Sequence, residues 1–172
     1  MTEKIYSDIT VKTVKPFRMA RYVMITPNPE DDVIGYMTMW AEKSGLLKAD
    51  PNAKRIGWDF PFVPKQLEKD FGLRGYVSAY VLPDGFMPEC GGAESAEQIE
   101  TRYAMRTIPD PFSDPFGRIP KASGLVLDFL KKGAYCEDKR ENVLPCFEYV
   151  YEKDGVTYME VYLNGIDPKN GN

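Results

Sequence analysis

The chain has 172 residues, 43% hydrophobic and 28% charged, with a formal net charge of −4 and no histidine. That length supports one compact core-forming unit, residues 1–172, and no apolar run approaches the roughly 20 residues a membrane span needs. Lysines and arginines are scattered along an acidic chain, which argues against direct nucleic-acid binding. Without histidine, Ser-His and Cys-His catalysis are excluded, so any chemistry falls to carboxylates, tyrosines or lysines. Cys90, Cys136 and Cys146 are odd in number and widely spaced, with no Cys-x-x-Cys pair, which fits neither a disulfide framework nor a zinc site. No cofactor is implied. The first residues, Met1 to Asp8, carry charges and no apolar core of a signal peptide, so the expected location is the cytoplasm.

The first extended segment spans 9–25, rich in Val, Thr, Tyr and Ile, with Pro16 marking an edge position or bulge. Asn28-Pro29-Glu30-Asp31 then reads as a helix start, with Asn28 as N-cap, and Val33, Tyr36, Met37, Trp40 and Ala41 form one apolar stripe that ends at Gly45. Residues 55–62 read as a strand, 64–71 as a short helical turn and 73–82 as a second strand. In the second strand Tyr76, Ser78 and Tyr80 alternate with Val77, Ala79 and Val81. Residues 83–97, with Pro83, Asp84, Gly85, Pro88, Gly91 and Gly92, form the longest connection.

The same order then returns: a strand at 99–108, a helix at about 120–132, and strands at 144–151 and 157–163, the last two joined by an Asp154-Gly155 turn. The second helix carries Ala122, Leu125, Val126, Phe129 and Leu130 in the stripe pattern of the first, and the same spacing places Trp58 opposite Phe147. Repeat one covers about 8–83 and repeat two about 97–166. The expected fold is α+β, with duplicated β-α-β-β units building a curved, mostly antiparallel sheet, two helices on one face and a ligand cleft on the other. Aliphatic Val77, Ala79, Val81, Met159, Val161 and Leu163 are expected under the helices, leaving Tyr76, Tyr80, Tyr158, Glu160 and Tyr162 for the open face.

Leu144-Pro145-Cys146-Phe147-Glu148-Tyr149, the final strand Tyr158-Met159-Glu160-Val161-Tyr162-Leu163, and Arg55-Ile56-Gly57-Trp58-Asp59 resemble the GyrI-like effector-binding domains of AraC-type and MerR-type regulators. The stretches 61–72 and 83–97 depart from that pattern. The resemblance implies a central pocket in which Glu148 meets a small organic ligand that is cationic and often aromatic, with Trp40, Trp58, Tyr76, Tyr80, Tyr158 and Tyr162 as further ligand-binding residues. A carboxylate among aromatic rings favours such a ligand, because burial penalises its unpaired charge and ring faces attract cations. The implied function is a stand-alone small-molecule-binding protein. One alternative is a hydrolase of reactive small molecules using Glu148 with Tyr162, and a second is a gyrase-inhibitor-like protein-binding module. Ligand identity and oligomeric state do not follow from the sequence.

Overall fold

The computed structural model describes residues 5–167. Its elements in chain order are β1 (Thr10–Val14), β2 (Phe17–Thr26), α1 (Pro29–Lys43), α2 (Leu46–Ala49), β3 (Arg55–Phe60), α3 (Lys65–Phe71), β4 (Arg74–Leu82), β5 (Glu94–Gln98), β6 (Thr101–Pro109), α4 (Pro115–Lys132), β7 (Cys146–Lys153) and β8 (Val156–Asn164), with a 3₁₀ turn at Pro111–Ser113. The chain divides into two compact units, Phe17–Gln98 (the N-unit) and the remainder (the C-unit), and crosses between them at Pro16 and at Gln98. The fold is α+β and built from duplicated β-α-β-β units.

In the N-unit the antiparallel strands run in the order β3-β4-β2-β5. Helix α1 lays Val33, Met37, Trp40 and Ala41 on Ala20 of β2 and on Tyr76, Tyr80 and Leu82 of β4. The C-unit strands run β7-β8-β6-β1. There α4 packs Ala122, Val126 and Leu130 on Ala104, Ile108, Met159 and Val161. Matching Ala20 to Ala104 and Met24 to Ile108, the residues of β2 and β6 beneath the helices, brings the cross-strand rows into correspondence. The row Trp58–Val77–Val23 then answers to Tyr149–Glu160–Thr107. Trp58 therefore matches Tyr149, two residues from the Phe147 expected from the helix spacing. A two-residue slip keeps the face, because side chains alternate with period two.

Several boundaries differ from the expectations for local reasons. Helix α4 starts at Pro115, five residues before Pro120, because Asp114 caps it by accepting a hydrogen bond from the Gly117 amide and a proline suits the first helical position. Asn28 precedes α1 but makes no side-chain cap; instead its amide donates to Thr26 Oγ1, which itself donates to Asp32 at 2.6 Å. The connection 83–97 ends in strand β5, whose sequence ESAEQ lacks the β-branched and aromatic residues that announce a strand. The Asp154-Gly155 turn has both residues at positive φ, 53° and 75°, as a tight hairpin requires.

The faces of β4 are a correction. Tyr76 and Tyr80 lie under α1, not on the face away from it, and Val77 and Ala79 point the other way. Both sets are buried, with Val77 at 5% and Ala79 at 0% exposure, so the alternation carried no inside-outside signal. The inward Tyr76 hydroxyl occupies the space a Cβ on Gly57 would take. Gly57→Ala is expected to destabilise the protein by about 1–3 kcal/mol through overpacking, and adding Tyr76→Leu to recover part of that loss. Urea unfolding of the three chains checks this; a neutral Gly57→Ala would place Tyr76 elsewhere.

Candidate ligand-binding site

Strand alternation sorts the C-unit into two chemically different faces. Residues paired across a ladder share a face, so Glu148, opposite Val161, and Val150, opposite Met159, belong to the face covered by α4. Phe147, Tyr149 and Tyr151 belong to the other face, opposite Tyr162, Glu160 and Tyr158 in that order. Six ring or acid positions thus collect on one side of the two-stranded β7–β8 ladder, and Tyr103 of β6 joins them on the same face.

The rings on this face are arranged in contact. Phe147 stacks on Tyr162 with centroids 4.4 Å apart and planes 11° from parallel, and Tyr103 meets Phe147 edge-on at 5.1 Å. Tyr103 is fully buried and donates from its hydroxyl to the Leu144 carbonyl at 2.7 Å, which fixes the segment leading into β7. Tyr149 stacks on Tyr151 at 5.2 Å, and Tyr151 on Tyr158 at 5.4 Å. Glu160 sits among them, half-buried, and accepts a 2.5 Å hydrogen bond from the Tyr162 hydroxyl.

Loss of water on burial, followed by the hydrogen bond to Glu160, raises the Tyr162 phenol well above its ordinary range. Burial and then the Glu160 charge push Tyr151 upward as well. Tyr151 and Tyr162 therefore stay protonated and neutral beside one carboxylate. Such a group offers a negative charge, stacked π faces and hydroxyl donors, which suits a flat cation. Nearby, Asp138 is buried, accepts from Thr101 Oγ1 at 2.7 Å and from the Arg140 guanidinium at 2.6 Å, and is held far below the usual carboxylate range, chiefly by the arginine. That cluster anchors the loop before β7 and leaves no carboxylate oxygen for other work.

The residues singled out from the sequence divide between faces. Tyr158 and Tyr162 are in the aromatic group, and Trp58 lies on the corresponding face of the N-unit. Trp40 on α1 and Tyr76 and Tyr80 beneath that helix are core residues, with exposures of 5%, 8% and 5%; Trp40 Nε1 has no hydrogen-bond partner among the described residues. Glu148 and Tyr162 stand on opposite faces, so they do not form the acid and phenol pair expected of them. Glu160 does, and Tyr149, Tyr151, Tyr103 and Phe147 complete the group. Their signal was present in the alternation Phe147-x-Tyr149-x-Tyr151, which mirrors Tyr158-x-Glu160-x-Tyr162 across the hairpin.

No protein-family model matches this chain, and no curated protein matches it in sequence. Its structure is similar to the EcmrR C-terminal domain, with a TM-score of 0.60 and 9% identity over 93% of this chain and 98% of that one. The fold is GyrI-like. It is shared with SAV2435 bound to tetraphenylphosphonium (TM-score 0.53, 9% identity, 93% of this chain and 94% of that one). A hydrolase encoded by lin2189 from Listeria innocua has it too (TM-score 0.55, 9% identity, 92% and 91%). At these identities the likeness is one of GyrI-like fold. No helix among the described residues is long and apolar enough to cross a membrane.

The raised Tyr162 phenol has a consequence for alkaline stability. A group whose folded pKa exceeds its unfolded value, about 10 for tyrosine, contributes stability fully present below pH 10 and lost as pH rises beyond it. One retained proton corresponds to about 1.4 kcal/mol per pH unit. Stability followed by urea unfolding between pH 9 and 11.5 is expected to fall less steeply in Tyr162→Phe than in the unaltered protein; parallel slopes would contradict the assigned environment.

Proposed function

We propose that this protein binds a cationic aromatic organic molecule on the tyrosine-rich face of its C-unit, with Glu160 as the anionic anchor. The observation that carries the reading is one half-buried carboxylate set among Tyr149, Tyr151, Tyr158 and Tyr162 on a single face of one ladder. Two stacked contacts, Tyr149 with Tyr151 and Tyr151 with Tyr158, form a platform that a flat ligand extends. Each cation–π contact contributes on the order of 0.5–2 kcal/mol according to desolvation. A ligand cation also offsets the penalty on the half-buried charge. The similar fold of SAV2435, whose structure contains tetraphenylphosphonium, supports a ligand of this class.

A second reading has a specific basis. The Tyr162 hydroxyl and Glu160 carboxylate form a hydrogen-bonded phenol and base, a pair able to position water or relay a proton to a bound substrate, and one protein of similar fold is described as a hydrolase. Under this reading Glu160 and Tyr162 take the roles the sequence suggested for Glu148 and Tyr162.

Titration with tetraphenylphosphonium by calorimetry tests which glutamate anchors the ligand. Glu160→Gln is expected to weaken binding about tenfold or more, equivalent to about 1.4 kcal/mol, while Glu148→Gln changes it less than threefold. Equal losses in both variants, or a loss confined to Glu148→Gln, would overturn the assignment to Glu160.

A further inference from the structure

Helix α3 and its flanks, residues 61–72, lie between β3 and β4, and α3 buries none of its own side chains. Its Leu67 and Phe71 are 37% and 67% exposed, so the helix is not there to complete the core. What it completes is a cavity of about 200 Å³ within the N-unit, whose walls combine Phe60, Pro61, Val63 and Leu73 with the carboxylates of Asp59 and Glu68. Asp59 pairs with Tyr76 across the β3–β4 ladder and so shares the sheet face covered by α1, opposite to the face of Trp58.

Charge around this cavity is unbalanced. Arg74, the cation of its lining, donates from Nη1 and Nη2 to the two oxygens of Glu30 on α1 at 2.7 and 2.9 Å, so its fork is occupied. Asp59 and Glu68 make no hydrogen bond or ion pair among the described residues, and both lie near enough to Arg74 to act on it through space. Loss of water, followed by the Glu30 charge, raises the Asp59 carboxyl above its ordinary range, with Arg74 pulling the other way less strongly. Three carboxylates therefore meet one guanidinium, and the surplus charge stands beside an apolar wall. One kind of group answers both features: an ammonium donates to carboxylates, while an aliphatic stem lies along Val63 and Leu73. The volume is below the range of about 300–1,000 Å³ typical of drug-sized sites, which suits a short chain.

We propose that the cavity walled by α3 binds the ammonium end of a short aliphatic amine, with Asp59 and Glu68 receiving the charge and Val63 and Leu73 the stem. The test adds butylammonium chloride to the full chain carrying labelled valine and leucine methyl groups and follows Val63 and Leu73 by NMR. Their resonances are expected to shift and saturate, and the uncharged n-butanol to bind at least tenfold more weakly. Asp59→Asn is expected to weaken butylammonium binding about fivefold or more and Glu68→Gln in the same direction; both positions are exposed, so either replacement leaves the core intact. Glu160→Gln is expected to change nothing at these methyl groups. A lysine capped as its N-acetyl methylamide presents the same group on a backbone: binding equal to butylammonium supports the site with a partner protein's lysine as its source, and much weaker binding supports it with a free amine. Absence of a saturable shift, equal affinity in Asp59→Asn and the unaltered protein, or n-butanol binding as tightly as butylammonium would overturn the proposal. A loss in Glu160→Gln matching that in Asp59→Asn would assign the amine to the Glu160 carboxylate and overturn it too.

Discussion

Across the β7–β8 ladder each residue has one partner and partners share a face, so pairing Glu148 with Val161 and Tyr149 with Glu160 sets two glutamates on opposite sides of one sheet. Everything chemical in the C-unit depends on that separation. On the α4 side the neighbours of Glu148 are aliphatic residues that build a core. On the other side the neighbours of Glu160 are phenols that can face a ligand cation and donate hydrogen bonds. The tight Asp154-Gly155 turn fixes this register, since its length and its positive φ values determine which residues stand opposite one another.

The duplicated architecture lets two units share a backbone plan while diverging in what their strands display. Ala20 and Ala104 occupy corresponding positions beneath the helices, and the stripes of α1 and α4 bury comparable residues. On the faces away from the helices the correspondence is of position only. The C-unit places rings around a carboxylate, and the N-unit places rings around valines beside a closed ion pair. Packing against a helix constrains residue size and polarity, whereas the opposite face is released from that demand and can specialise.

Much of the fold was legible in the sequence because helix stripes and hairpin turns are local signals: Val33 to Ala41, Ala122 to Leu130 and Asp154-Gly155 all form what their spacing announces. The faces of β8 were also readable, since Met159, Val161 and Leu163 are apolar and their alternates polar or aromatic. Strand β4 defeated the same reasoning because it is buried on both sides, where tyrosine is as suitable beneath a helix as valine is. Glu148 drew attention through a short motif, but a motif carries no face; only the pairing partner does. Strand β5 and its pairing with β2 lay beyond propensity, because ESAEQ becomes a strand through its neighbour and not through its own composition.

The most direct test of the central claim is to follow the aromatic proton resonances of the tyrosines by NMR while ethidium, a flat aromatic cation, is added. If Glu160 and its phenols form the site, the rings of Tyr149, Tyr151 and Tyr158 shift together and saturate at one concentration, while Tyr76 and Tyr80 beneath α1 stay in place. Shifts confined to the rings under α1, with the Glu160 face silent, would contradict the account.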